Sequence, residues 1–138
     1  MKKLILFCLL AICFSSAVIA QKKTHRIVFE ITSADTAAQH TTLRQIHNVL
    51  RDVPGTKIEL VCHGPAIFLL VKAKTVFEED MQQLKNSGGV VFAACANSMR
   101  KNNLDKTQLV SIATVVPNGV MEVVTKQEDG WSYIKAGD

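Results

Sequence analysis

The stretch "VVFAA", residues 90–94, is apolar at every position and does not alternate, which is the pattern of a strand covered on both faces. Other segments of the same kind punctuate the chain. "HRIVFEI", residues 25–31, is a β-branched and aromatic run, and the segment after it carries Leu43, Ile46, Leu50 and Val53 at helical spacing. Ser33 or Asp35 can cap that helix, and Pro54 with Gly55 stops it. "KIELVCHG" reads as a second strand, followed by "PAIFLLV", whose Pro65 suits either a first helical position or a turn. Thr75 and Glu78 form a T-x-x-E capping box ahead of "VFEEDMQQLKNSGG", with Gly88 and Gly89 to end that helix. Beyond "VVFAA" come a short helix and turn in "CANSMRKNNLD" and a fourth strand in "LVSIATVVP". An amphipathic helix in "NGVMEVVTKQEDG" and a fifth strand in "WSYIKAGD" end the chain. Strand and helix alternate throughout, with no repeat, linker or low-complexity tract. The expectation is an α/β three-layer domain with a mostly parallel central sheet of about five strands and right-handed crossovers.

The opening "MKKLILFCLLAICFSSAVIA" has two lysines, an apolar run from Leu4 to Phe14, and Val18 and Ala20 at positions that suit cleavage. Residues 1–20 therefore read as a signal peptide and residues 21–138 as one domain, exported to a periplasmic or extracellular compartment. The apolar run is short for a membrane anchor, and Ile12 is too large for a lipoprotein signal at Cys13. Without the leader the chain keeps 14 basic and 12 acidic residues, a net charge of +2. That balance, with no Lys/Arg block interleaved with aromatics, gives no sign of a nucleic-acid partner, and no membrane partner is expected after cleavage. Cys8 and Cys13 also leave, so only Cys62 and Cys95 remain, far short of a disulfide-stapled scaffold.

In parallel sheets, reactive groups collect beyond the C-terminal ends of the strands. Cys62, His63 and Cys95 all fall there. A flavodoxin strand order would put the first strand between the second and third and hold the two cysteines two strand spacings apart, roughly 9–10 Å. A disulfide rarely tolerates Cα atoms more than ~7 Å apart, so a bridge is not expected. Cys95 opens a helix, where free N–H groups and the dipole favour thiolate; Asn97 and Ser98 can cap that helix or hydrogen-bond a sulfur or an anion. The plainer reading makes Cys95 a small buried residue that finishes the strand. Adjacent residues in a strand point to opposite faces, which separates Cys62 from His63 as a nucleophile–base pair. His63 more naturally lines the pocket or satisfies a loop carbonyl, and Gly64 with Pro65 shapes a tight turn. His40, Arg44 and His47 share a helix face, but the two histidines stand two turns apart, roughly 10 Å, too far for one ion. Trp131 and Tyr133 read as packing residues. No nucleotide, hydrolase or zinc motif is present, so neither cofactor nor metal is expected.

Taken in order, "VCHGPAIFLL", "GGVVFAACANSM" and "VPNGVMEVVTKQEDGWSYIKAG" resemble the DsrE/DsrF-like family of small sulfur-metabolism proteins. The likeness runs from about Arg26 to Ala136. Its most specific elements are His63-Gly64, the C-x-N-S of Cys95, Asn97 and Ser98, and the closing Glu128 to Ile134. The resemblance implies a flavodoxin-like fold, a homotrimer or hexamer, and a cysteine that carries sulfane sulfur as a persulfide, a position that falls on Cys95. Sulfur donor and acceptor proteins would be its partners. The expected function is thus an exported sulfur carrier rather than a turnover enzyme, with Asn97, Ser98, His63 and Gly64 positioning the sulfur. The alternatives are an oligomeric binding module for a small anion or protein partner, and a redox sensor in which Cys62 and Cys95 meet.

Overall fold

The computed structural model describes residues 24–137; the leader read from residues 1–20 lies outside them. Five strands, β1 (Arg26–Ile31), β2 (Lys57–Cys62), β3 (Val90–Cys95), β4 (Ala113–Val116) and β5 (Ser132–Ala136), form one sheet in the order β4-β3-β2-β1-β5. Every pairing is parallel. Helices α1 (Thr36–Asp52), α2 (Glu78–Asn86) and α3 (Ala96–Lys101), with a 3-10 helix at Gly64–Leu70, connect the first four strands, and α4 (Gly119–Glu128) connects β4 to β5. This is the three-layer α/β architecture that the alternation predicts, consistent with the flavodoxin-like fold that the family resemblance implies.

Handedness explains the layers. From β1 to β4 the chain steps in one direction across the sheet, so right-handed crossovers put α1, the 3-10 helix, α2 and α3 on the same face. The return from β4 to β5 runs back over the sheet, which places α4 on the opposite face. Two cores result. Phe29, Ile58, Leu60 and Phe92 pack with Leu43, Ile46, Met81 and Leu84 beneath the several-helix face. Val28, Val61 and Ala93 pack with Val123 beneath α4 alone. Each large apolar side chain removed from water contributes about 1.5–3 kcal/mol, so the broader core carries most of the stability.

Three local expectations are corrected. The strand order sets β2 beside β3, not apart from it. Cys62 lies opposite Ala94, so Cys95 is one residue further along and points to the other face. The two thiols are kept apart by the pleat and not by an intervening strand, and both are free. The Thr75–Glu78 capping box does not form: α2 begins at Glu78 behind Phe77, and the Thr75 hydroxyl instead accepts the Phe77 N–H at 3.1 Å. The fourth strand keeps only Ala113–Val116, because Leu109 bridges to Val71, the Val110 N–H donates to the Leu70 carbonyl at 2.9 Å, and the chain then turns, the Ala113 N–H donating to the Val110 carbonyl at 3.1 Å. Elsewhere Asp35 caps α1 by accepting the Ala38 N–H at 2.9 Å, and the His40–His47 face has local partners: His40 stacks on Phe77, and His47 pairs with Asp80 at 2.6 Å.

Candidate functional site

Adjacent strands β3 and β4 send their chains to opposite faces, β3 into α3 and β4 into α4. Such a divergence opens a crevice at the C-terminal edge of the sheet, and Cys95 ends β3 there, directly opposite Val116 at the end of β4. Its side chain faces the α4 side. The Gly119 N–H, at the first position of α4, donates to Cys95 Sγ at 3.2 Å. That donor is free because the Asn118 side chain, as N-cap, accepts from Val120 and Met121 one and two positions on. The backbone N–H groups of Asn97 and Ser98 and the Ser98 hydroxyl also point to the sulfur. Burial pushes the Cys95 thiol up, but these four donors outweigh it and hold the group below its ordinary value. Cys62, fully buried among apolar side chains, is driven strongly upward by desolvation.

The turn after β2 closes the other side. Gly64 sits at φ +57°, in the left-handed region. Its N–H donates to Ser98 Oγ at 2.8 Å, which fixes the hydroxyl that serves the sulfur. His63 leaves β2 on the α4 face beside Cys95. Its Nε2 meets Glu30 Oε1 at 2.6 Å, and the Tyr133 hydroxyl donates to Glu30 Oε2. Burial raises Glu30, yet the Tyr133 and His63 hydrogen bonds, with the charges of His63 and Lys135, bring its carboxyl below the usual value.

Gly119 is the tightest point. A Cβ there would lie 2.9 Å from the His63 Cβ and 3.2 Å from the Cys95 Cβ. Only a bare backbone lets the start of α4 come down onto both residues and deliver its N–H to the sulfur.

Of the residues expected at the site, Cys95, Ser98, His63 and Gly64 are brought together. Asn97 contributes only its backbone: its side chain is exposed and accepts a hydrogen bond from Arg100. The sequence reading missed Glu30, Gly119 and Tyr133. Glu30 left a trace as the one acid of β1, set among the apolar residues that follow Arg26, whereas Gly119 reads only as part of a helix segment and Tyr133 as packing. Cys95 is only 4% exposed, so a reagent reaches the sulfur through movement of the surrounding loops. Among the described residues, no group of three or more His, Cys, Asp or Glu side chains is placed to hold a metal.

The fold and site define a class: parallel α/β proteins with a hydrogen-bonded thiol where the sheet connections diverge. Within it, this chain belongs to the DsrE/DsrF-like family, whose model matches residues 11–136. A solved protein of unknown function from Methanobacterium thermoautotrophicum is similar at 29% identity and a TM-score of 0.76, over 80% of this chain and 98% of that one. A conserved protein of unknown function from Bacteroides thetaiotaomicron shares the fold at 10% identity and a TM-score of 0.65, over 87% of this chain and 99% of that one. No curated protein matches the chain.

Proposed function

We propose that the protein is an exported sulfur carrier in which Cys95 accepts sulfane sulfur and passes it on. The observation that carries this reading is a thiol held below its ordinary pKa by the Gly119, Asn97 and Ser98 donors in a DsrE/DsrF-like chain. The Cys95 thiolate attacks the terminal sulfur of a persulfide donor, R–S–SH. A new S–S bond forms to Cys95, the donor S–S bond breaks, and R–S⁻ leaves with its electron pair, giving Cys95–S–SH. The N–H groups that stabilise the thiolate also stabilise the persulfide anion, and Ser98, fixed by Gly64, follows the charge. Export is supported by the residue 1–20 pattern. A homotrimer or hexamer is supported by Val120 and Met121, half exposed at the start of α4. Donor and acceptor proteins complete the relay.

The test is intact mass after incubation with a persulfide donor, with and without reductant. Wild type and Cys62→Ser gain one reducible sulfur and Cys95→Ser gains none; equal loading of the two variants overturns the assignment. A second reading, a non-catalytic binding module, draws on the burial of Cys95. It takes the lead if the wild type gains no sulfur and Cys95 resists alkylation. The redox-sensor reading requires a 62–95 crosslink, which side chains on opposite faces disfavour.

A further inference from the structure

At the far end of the sheet from Cys95, β2 and β3 begin beneath the C-terminal half of α4. A single helix cannot cover a five-stranded face, and a cleft of about 410 Å³ remains there, within the range of small-molecule sites. Glu59 and Val91, paired across β2 and β3, lie on the α4 face and line it, with Lys126 and Trp131 on the α4 side and the exposed Lys57 and Lys85 at the rim.

Glu59 is 3% exposed. Its Oε2 meets the Lys126 Nζ at 2.6 Å, while its buried Oε1 has no hydrogen-bond partner among the described residues. A buried acceptor left unpaired is costly, so the cleft calls for a donor at this point. Lys126 is already engaged: it bridges Glu59 and Glu122 and lies 4.8 Å from the Trp131 ring centre. Lys57 and Lys85 have no ion-pair partner among the described residues, and they come from different elements, the start of β2 and the last turn of α2. Between them the Val91 side chain gives an apolar wall, and Ile58 and Val90, whose side chains point into the opposite core, contribute backbone.

We propose that this cleft binds a small hydroxy- or amino-dicarboxylate. Its two carboxylates meet the separate ammoniums of Lys57 and Lys85, its hydroxyl or amino group donates to Glu59 Oε1, and its carbon chain lies along Val91. A compact inorganic anion would answer one ammonium and fill little of the volume. The site is independent of the thiol chemistry at the opposite edge.

Trp131 is the only tryptophan in the chain, so its fluorescence reports on the cleft. Titration with L-malate or L-glutamate gives a saturable change. Succinate, which lacks the donor, binds about tenfold more weakly, the ratio that one net hydrogen bond accounts for. The double variant Lys57→Ala/Lys85→Ala, whose positions are exposed, keeps the wild-type melting temperature and loses the response; Cys95→Ser keeps it. The proposal is overturned if neither acid gives a saturable change, if succinate binds as tightly, if the double variant responds like the wild type, or if inorganic phosphate saturates the signal at the same concentrations.

Discussion

Cys62 and Cys95 end neighbouring strands of one sheet, and the molecule treats them as opposites. Cys62 points into the core beneath α1, α2 and the 3-10 helix, where nothing stabilises a thiolate. Cys95, one residue past the position opposite Cys62, points under α4, where backbone and hydroxyl donors converge. A strand alternates faces at every residue, so a one-residue offset decides between an inert thiol and a polarised one. The two faces differ in kind as well: one is packed for stability, whereas the other carries a single helix whose first turn is aimed at the sulfur.

The largest test of this contrast is alkylation. In the folded protein at neutral pH, iodoacetamide labels Cys95 about a hundredfold or more faster than Cys62, because both thiolate fraction and access favour it. The pH profile of Cys95 labelling has its midpoint below the ordinary value of 9.0. Peptide mapping after timed quenching reads both rates, and in denaturant the two thiols react alike. Comparable rates in the folded state break the comparison.

Next in size is Gly119→Ala. The added carbon meets the Cβ atoms of His63 and Cys95 well inside normal contact, and overpacking of this kind costs about 1–3 kcal/mol. Relief comes by lifting the first turn of α4, which withdraws the N–H from the sulfur. Loss of a hydrogen bond that favours the charged sulfur raises the Cys95 labelling midpoint. A urea midpoint and a labelling profile on the same sample read both effects. A stability loss without a change in midpoint would mean that the Gly119 contact serves packing alone.

That glycine marks where the sequence stopped being readable. The alternation of strands and helices follows from periodicity, and the place of Cys95 at a strand end and helix start follows from "VVFAACANSM". Strand order does not, because the register that sets β2 beside β3 is decided by how the helices pack, and with it went the reason given for the separation of the two cysteines. Gly119, Glu30 and Tyr133 lie 24, 65 and 38 residues from Cys95 in the chain. The crossover of α4 brings Gly119 to the thiol, and the pairing of β5 with β1 brings Tyr133 to the Glu30–His63 pair beside it. His63 was legible as a site residue, but not its partner, since Glu30 reaches it across the β1–β2 pair on a shared face.

Glu30→Gln is a smaller effect with a defined sign. The carboxyl sits below its ordinary value of 4.5 in the fold. Its ionised form therefore stabilises the protein above about pH 4.5, and this contribution is lost as pH falls through the lower, folded value. Glutamine abolishes that dependence and flattens the acid limb of the stability curve. Solvent screening keeps the difference under about 1 kcal/mol. Urea unfolding between pH 3 and 6 measures it, and an unchanged acid limb would show that the Tyr133 and His63 contacts do not favour the charged form.

Asn97→Ala gives the smallest change and separates side chain from backbone at the thiol. The Asn97 side chain is exposed and turned to Arg100, while its N–H faces the sulfur. Alanine removes the first and keeps the second, and it is a better helix former at an exposed position of α3. Stability stays within about 0.5 kcal/mol of the wild type, and the labelling midpoint of Cys95 does not move. Ser98→Ala, one residue on, takes away the hydroxyl that links the Gly64 N–H to the sulfur and raises the midpoint. If Asn97→Ala raised it as far as Ser98→Ala, the polar side chain would be acting on the sulfur, and the separation of one polarised thiol from its inert neighbour would rest on side chains more than on helix ends.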